Sequence, residues 1–337
     1  MVLNTRLSLL DRSRTRAGEP DSAALGSTVR RARWAQAAGY DRFWVAEHHA
    51  VPGIASGSPP VLIAAVAGAT ERIRVGSGGV MLPNHQPLVV AEQFAMLDAL
   101  YPGRIDLGVG RSLGFTAPVR AALRHEREDA DTFDVDLAEL RSYLDGRAPV
   151  TSRPHLDRAL PLFVLATGRG LAVAGDAGLP AVVGGPALWS AELPELLADY
   201  RARAEQAGAR PYLMVALDVL IADSESAARE LALPEAWALA YARTHGEFPP
   251  LEPPDPDRAM SARQREVVRG SLAHTVHGDP DTVSEQLREV LARTGADELL
   301  VSGSTFDRAA LRESDTRLAE LVRPSRVPTS AGDRPAA

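Results

Sequence analysis

The chain has 337 residues, 45% of them hydrophobic, enough for one large domain or two ordinary ones around a sizeable core. A formal net charge of −7 argues against nucleic acid or an anionic membrane as the principal partner. Cysteine is absent, which excludes disulfides, thiolate chemistry and cysteine-ligated zinc and suits a cytoplasmic setting.

The first ten residues carry no long apolar stretch behind a basic start, so no signal peptide is expected. The longest apolar run, from Val61 to Ala69, is too short to span a bilayer. Strand-like runs recur along the chain at residues 6–10, 42–47, 73–78, 105–110, 162–166, 181–184, 213–222 and 298–302. Most are continuous apolar runs rather than alternating ones, the pattern of strands buried on both faces. Helical patterns separate them, at 27–38, 60–69, 88–100, 132–145 and 282–294. Gly39, Gly146 and Gly295 stand as C-terminal stops, and Asp131 as an N-cap. Strands alternating with helices eight times in one chain predict a (β/α)8 barrel over residues 1–322. An open doubly wound sheet would want a glycine-rich turn after the first strand, where Asp11-Arg12-Ser13-Arg14 stands instead.

Two regions depart from simple alternation. Residues 246–256, rich in proline and acid, fall between strands seven and eight and read as a mobile excursion over the barrel mouth or as a plain surface loop. Residues 323–337 read as a disordered tail.

In such barrels the chemistry sits at the carboxyl ends of the strands. Strand two ends in Glu47-His48-His49, strand three in Ser77-Gly78-Gly79 and strand four in Val109-Gly110-Arg111. Strand five ends in Thr167-Gly168-Arg169-Gly170. Neighbours on a strand point to opposite faces, so His48 and His49 cannot both face inward unless the strand stops there. No His-Glu-x-x-His helix occurs and no third ligand is evident, so no metal site is expected. A neutral imidazole serving as base or hydrogen-bond donor fits better. Thr167-Gly168-Arg169-Gly170 opens a helical segment, where free N–H groups, a hydroxyl and a guanidinium make an anion cradle. Arg111 on the neighbouring strand could clamp the same phosphate.

These residues, taken in order, resemble the bacterial luciferase-like monooxygenases. The likeness is carried by Phe43-Trp44-Val45-Ala46-Glu47-His48-His49, by Arg74-Val75-Gly76-Ser77-Gly78-Gly79-Val80-Met81-Leu82-Pro83 and by Pro87 through Gln93. It continues through Tyr101-Pro102-Gly103-Arg104-Ile105-Asp106-Leu107-Gly108-Val109-Gly110-Arg111, and ends in His277-Gly278-Asp279-Pro280 and Gly295-Ala296-Asp297-Glu298-Leu299. The resemblance implies a TIM barrel that binds reduced FMN from a separate flavin reductase. Oxygen would add at the flavin C4a to give a peroxide that attacks a small organic or secondary-metabolite substrate.

By the same resemblance His48 is the catalytic base, Arg111, Thr167 and Gly170 hold the cofactor phosphate, and Gly78 and Gly79 bind beside the flavin ring. From their places at the strand ends, Ser77, Gly168 and Arg169 are also expected to bind the cofactor, and Glu47, His49, Val109 and Gly110 to line the substrate pocket. Gly78-Gly79 would be a bulge with a non-proline cis peptide beside the flavin ring. The family's strand-four cysteine corresponds to Gly110, its second phosphate arginine to Phe133, with Arg127 as a candidate replacement, and the acidic residue after strand five to Ala166. Deazaflavin-dependent hydride transfer and a non-catalytic partner subunit are the alternatives. The apolar helices at 60–69 and 88–100 imply a homodimer.

Overall fold

The computed structural model describes residues 3–114, 116–124 and 131–322. In chain order β1 (Arg6–Asp11) leads to α1 (Asp21–Ala38), and β2 (Arg42–Val45) to α2 (Pro59–Gly68). β3 (Arg74–Ser77), with a short continuation β4 (Val80–Met81), leads to α3 (Pro87–Leu100). β5 (Ile105–Gly110) precedes α4 (Ala117–Ala122) and α5 (Phe133–Leu144), β6 (Leu162–Leu165) precedes α6 (Arg169–Asp176), and β7 (Ala181–Gly184) precedes α7 (Leu193–Gln206). After β8 (Leu213–Ile221) come α8 (Glu225–His245), α9 (Ala262–Ala273), β9 (Val276–Gly278) and α10 (Pro280–Thr294). β10 (Glu298–Ser302) and α11 (Arg308–Leu321) follow.

The strands pair in parallel in the order β10-β1-β2-β3-β5-β6-β7-β8, and the sheet closes through β8 and β10, with Glu298 opposite Met214 and Ser302 opposite Asp218. This is the expected (β/α)8 barrel. Alternation along each strand makes two cores. Phe43 and Val45 of β2 join the large cluster between sheet and helices. Trp44 joins Phe163, Val182, Met214 and Leu300 in a second cluster inside the barrel. Trp44 and Phe163 meet edge to face with centroids 5.0 Å apart.

Below that apolar layer the barrel is plugged by charge. Arg42 donates to Asp106 at 2.7 Å and to Glu298 at 3.1 Å, and both carboxylates are fully buried. The Trp44 indole N–H donates to Asp106, Tyr212 and Ser8 donate to Glu298, and Arg74 closes the ring on Asp106. Gly76 is required here: a Cβ would sit 2.5 Å from the Asp106 carbonyl and 2.8 Å from the Trp44 indole nitrogen.

Several boundaries differ from those read in the sequence. α1 starts at Asp21 rather than residue 27, directly after Pro20. β2 stops at Val45, because the chain turns to hydrogen-bond Ser56: Ser56 Oγ donates to Ala46 O, and His48 N–H donates to Ser56 O. β3 stops at Ser77, where the Gly78-Gly79 peptide is cis, and the ladder resumes in β4 against β5. The predicted stops at Gly39 and Gly295 are left-handed C-caps.

The excursion between β8 and β10 is stitched onto the mouth. Leu251 is fully buried and exchanges hydrogen bonds with the loop after β1, Leu251 N–H to Thr15 O and Ala17 N–H to Leu251 O. Gly53 N–H donates to Phe248 O, and no Cβ would fit at Gly53 against the Pro249 carbonyl. Segment 246–256 is therefore a fixed part of the roof rather than a plain surface loop. Residues 323–337 and Arg127 lie outside the described residues. Among the described residues no helix is long and apolar enough to cross a membrane.

Arg42→Ala should cost about 3–5 kcal/mol, because it leaves Asp106 and Glu298 as uncompensated buried charges. Denaturant unfolding of the variant measures this, and a loss under about 1 kcal/mol would show the plug to be dispensable.

Candidate active site

The parallel barrel brings every strand's carboxyl end to one mouth. Glu47, just past β2, is buried there. Its Oε2 accepts the Met81 N–H at 2.8 Å, and its Oε1 lies 2.6 Å from both His49 Nε2 and His85 Nε2. Burial alone would raise this carboxyl. Hydrogen bonds from His49, His85 and Met81 outweigh it and hold the group down at about 2, so it is ionised. Each histidine then donates from Nε2. Sequence reasoning found no third partner for Glu47 and the tandem histidines. The fold supplies His85, which arrives from the turn after β4.

His48, past the end of β2, lies in the field of Arg12 and Arg14 after β1. Burial first, then those two cations, push the imidazole down to about 4, against the pull of Glu47. It is neutral at pH 7. Glu235, from α8 in the excursion, neutralises the arginines: Arg12 lies 3.2 Å and Arg14 2.9 Å from its carboxylate, and Arg12 also reaches Asp218 at 3.3 Å. Burial opposes ionisation of Glu235, and the two guanidiniums restore it. Arg12, Arg14, Asp218 and Glu235 were not identified from the sequence as site residues. The available signal was the tandem arginine at the end of the first strand. Glu235 sits in a helix whose path no local pattern reveals.

On the other side of the mouth, Arg111 pairs with Asp131 at 3.0 Å and Arg169 pairs with Asp134 at 2.7 Å. Both arginines thus meet at the start of α5. Thr167, Gly168 and Arg169 are exposed and Gly170 is buried. Gly168 has φ 51°, a conformation that suits glycine, and a side chain there would project into open space. Phe133 is buried in the main core and offers no group to the rim.

Two expected site residues do other work. Ser77 is fully buried, and its hydroxyl donates to Gly108 O at 2.8 Å while accepting Gly108 N–H at 3.0 Å, so it ties β3 to β5. Val109 points outward into the main core, because it sits on the outer face of β5. Gly110 stands at the half-buried strand end, where a Cβ would meet only Leu165, at 3.8 Å.

Among the described residues, two of the cavities that open at the mouth both touch Leu239 of α8. One, of about 410 Å³, is lined by His49, Val51, Thr116, Val119, Arg243 and Phe248 among others. The other, of about 290 Å³, is bounded by Leu10, Arg12, Trp189, Asp218, His274 and Ser302 among others. Trp189 and His274 stack in parallel with centroids 5.7 Å apart and stiffen that wall.

The donor set suits a cofactor that carries a phosphate. Two guanidiniums and the N-terminus of α6 gather at the ends of β5 and β6, the groups a phosphate dianion needs. Their present carboxylate partners are exposed, and exposed ion pairs are worth at most about 1 kcal/mol, so a dianion can displace them.

Residues 5–298 match the family model described as luciferase-like monooxygenase. The chain is 38% identical to a protein of Escherichia coli strain K12 named luciferase-like monooxygenase, over 90% of this chain and 92% of that one. The crystal structure of apo-MsnO8 superimposes with a TM-score of 0.82 at 31% identity, covering 95% of this chain and all of that one. The fold alone is shared with the oxygenating constituent of 3,6-diketocamphane monooxygenase from Pseudomonas putida in complex with FMN, at TM-score 0.69, 18% identity and coverage of 94% and 97%.

Ser77→Ala should cost about 1–3 kcal/mol in thermal or denaturant unfolding, the scale of unsatisfied buried partners, and leave FMN affinity within a few fold. A loss of flavin affinity beyond tenfold with stability intact would return Ser77 to the cofactor.

Proposed function

Because this chain belongs to the luciferase-like monooxygenase family, we propose that it is an FMN-dependent monooxygenase that uses molecular oxygen on a small organic substrate. Its reduced FMN comes from a separate flavin reductase, a transient partner, in the cytoplasm. The support is one arrangement at the mouth: a phosphate-type donor set at the ends of β5 and β6, across from a half-buried neutral histidine just past the end of β2.

Arg111, together with Thr167 and Arg169 at the start of α6, would hold the phosphate, with Gly78, Gly79 and Gly110 at the adjoining strand ends. Reduced FMN, when bound, supplies the electrons that activate oxygen. His48 then holds or moves a proton at its imidazole. It needs no deprotonation at pH 7, because burial first, and then Arg12 and Arg14, already disfavour its cationic form. Glu235 keeps those arginines in place, and α8 and Leu251 roof part of the mouth.

The assembly we propose is a homodimer through α2 and α3. Val61, Val89, Met96 and Leu100 are large apolar residues exposed on these two helices.

Three outcomes test this reading. Arg111→Ala with Arg169→Ala should weaken FMN at least tenfold and riboflavin hardly at all, read by fluorescence titration. Equal losses for both would remove the phosphate role. His48→Ala should keep FMN affinity within a few fold and cut product formation by about 100-fold or more, the scale of lost general-base catalysis. Unchanged turnover would remove His48 from the mechanism. Val61→Glu with Leu100→Glu should halve the mass seen by sedimentation velocity, and a wild type that sediments as a monomer would refute the dimer.

A further inference from the structure

Glu47, His49 and His85 form a constellation that the proposed flavin chemistry does not use. One ligand atom from each lies within 4.8 Å of the others. Both imidazole Nε2 atoms converge on one carboxylate oxygen, Oε1, at 2.6 Å. The other oxygen, Oε2, is taken by the Met81 N–H, which fixes the carboxylate and leaves Oε1 as the free ligand. The carboxylate is fully buried and the two rings are half-buried. His49 also lines the cavity of about 410 Å³, which gives a small ion a route to all three groups.

We propose that Glu47, His49 and His85 form a binding site for a divalent first-row transition ion. Two imidazole nitrogens and one carboxylate oxygen suit zinc, iron(II), manganese or nickel, whereas calcium and magnesium prefer an all-oxygen shell. Metal–ligand bonds of about 2.0–2.2 Å set tetrahedral ligand atoms about 3.4 Å apart. Each imidazole nitrogen, now 2.6 Å from Oε1, therefore moves out by about 0.8 Å, all three ligand atoms already lying within 4.8 Å of one another, and the ion takes the place of the two imidazole protons that now bridge to Oε1. Both histidines sit on turns past their strands rather than within the ladder, so the movement leaves the barrel intact. Met81 N–H stays as the outer partner that orients the carboxylate. The site does not depend on the flavin reading, since none of its ligands belongs to the phosphate donor set and none is His48.

The test uses chelator-treated full-length protein without flavin. Equilibrium dialysis against zinc, followed by elemental analysis, should give one ion per chain. Cobalt(II) should give visible absorption of a nitrogen- and oxygen-ligated ion, which zinc displaces. His85→Ala and His49→Ala should each weaken zinc by at least about 100-fold, since loss of even an outer-shell partner costs about 10–100-fold. Circular dichroism and melting temperature confirm that these variants fold. No zinc uptake by the wild type at micromolar free ion would overturn the proposal, as would uptake that persists unchanged in both variants. In either case the trio is a hydrogen-bonded clamp only.

Discussion

The guanidinium of Arg42, shared between Asp106 and Glu298, is the contact on which the rest of the barrel depends. Three strands that are far apart in sequence, β2, β5 and β10, meet on it. Two carboxylates with no solvent access are tolerable only when cations and donors surround them, and Arg42, Arg74, Trp44, Tyr212 and Ser8 do so. A shift of one residue in any of these strands would turn its charged group out of the barrel and break the set. Register fixed at the amino ends is transmitted along straight parallel strands to the carboxyl ends. Glu47 and Arg111 stand where they do because Arg42 and Asp106 begin the same strands.

At the mouth the same economy of charge appears twice, in two separate networks. Glu47 gathers two histidines and a backbone N–H, and so joins the loops after β2 and β4. Glu235 gathers Arg12 and Arg14, and so joins the excursion to the loop after β1. His48 stands near both networks and is kept neutral by burial first and by the arginines of the second. The excursion is therefore electrostatic equipment of the site as well as its roof, which explains why a chain with this many strands carries so long an insertion before its last βα unit.

Much of this was legible in the sequence. Continuous apolar runs separated by helical periods gave the barrel, because both faces of each strand are buried and the pattern is local. Gly39 and Gly295 marked helix ends, because a left-handed cap needs no partner from elsewhere. The cis peptide at Gly78-Gly79 followed from the family motif. What failed was everything set by register or by distant partners. Arg42 meets Asp106 across 64 positions and Glu298 across 256, and His85 meets Glu47 across 38. Arg14 meets Glu235 across 221. No period or spacing encodes such pairs. Ser77 and Val109 were assigned to the site for standing near strand ends, but the pleat sends Val109 outward and the ladder takes the Ser77 hydroxyl.

The central claim is that this mouth holds a flavin and controls its reaction with oxygen. The most direct measurement is rapid mixing of the protein carrying photoreduced FMN with oxygenated buffer, followed by absorbance. The account predicts that oxidised flavin returns markedly more slowly than from free reduced FMN, with a transient spectrum that matches neither end state. Reoxidation at the rate of free FMN, or no binding of reduced FMN at all, would contradict it and turn attention to a deazaflavin.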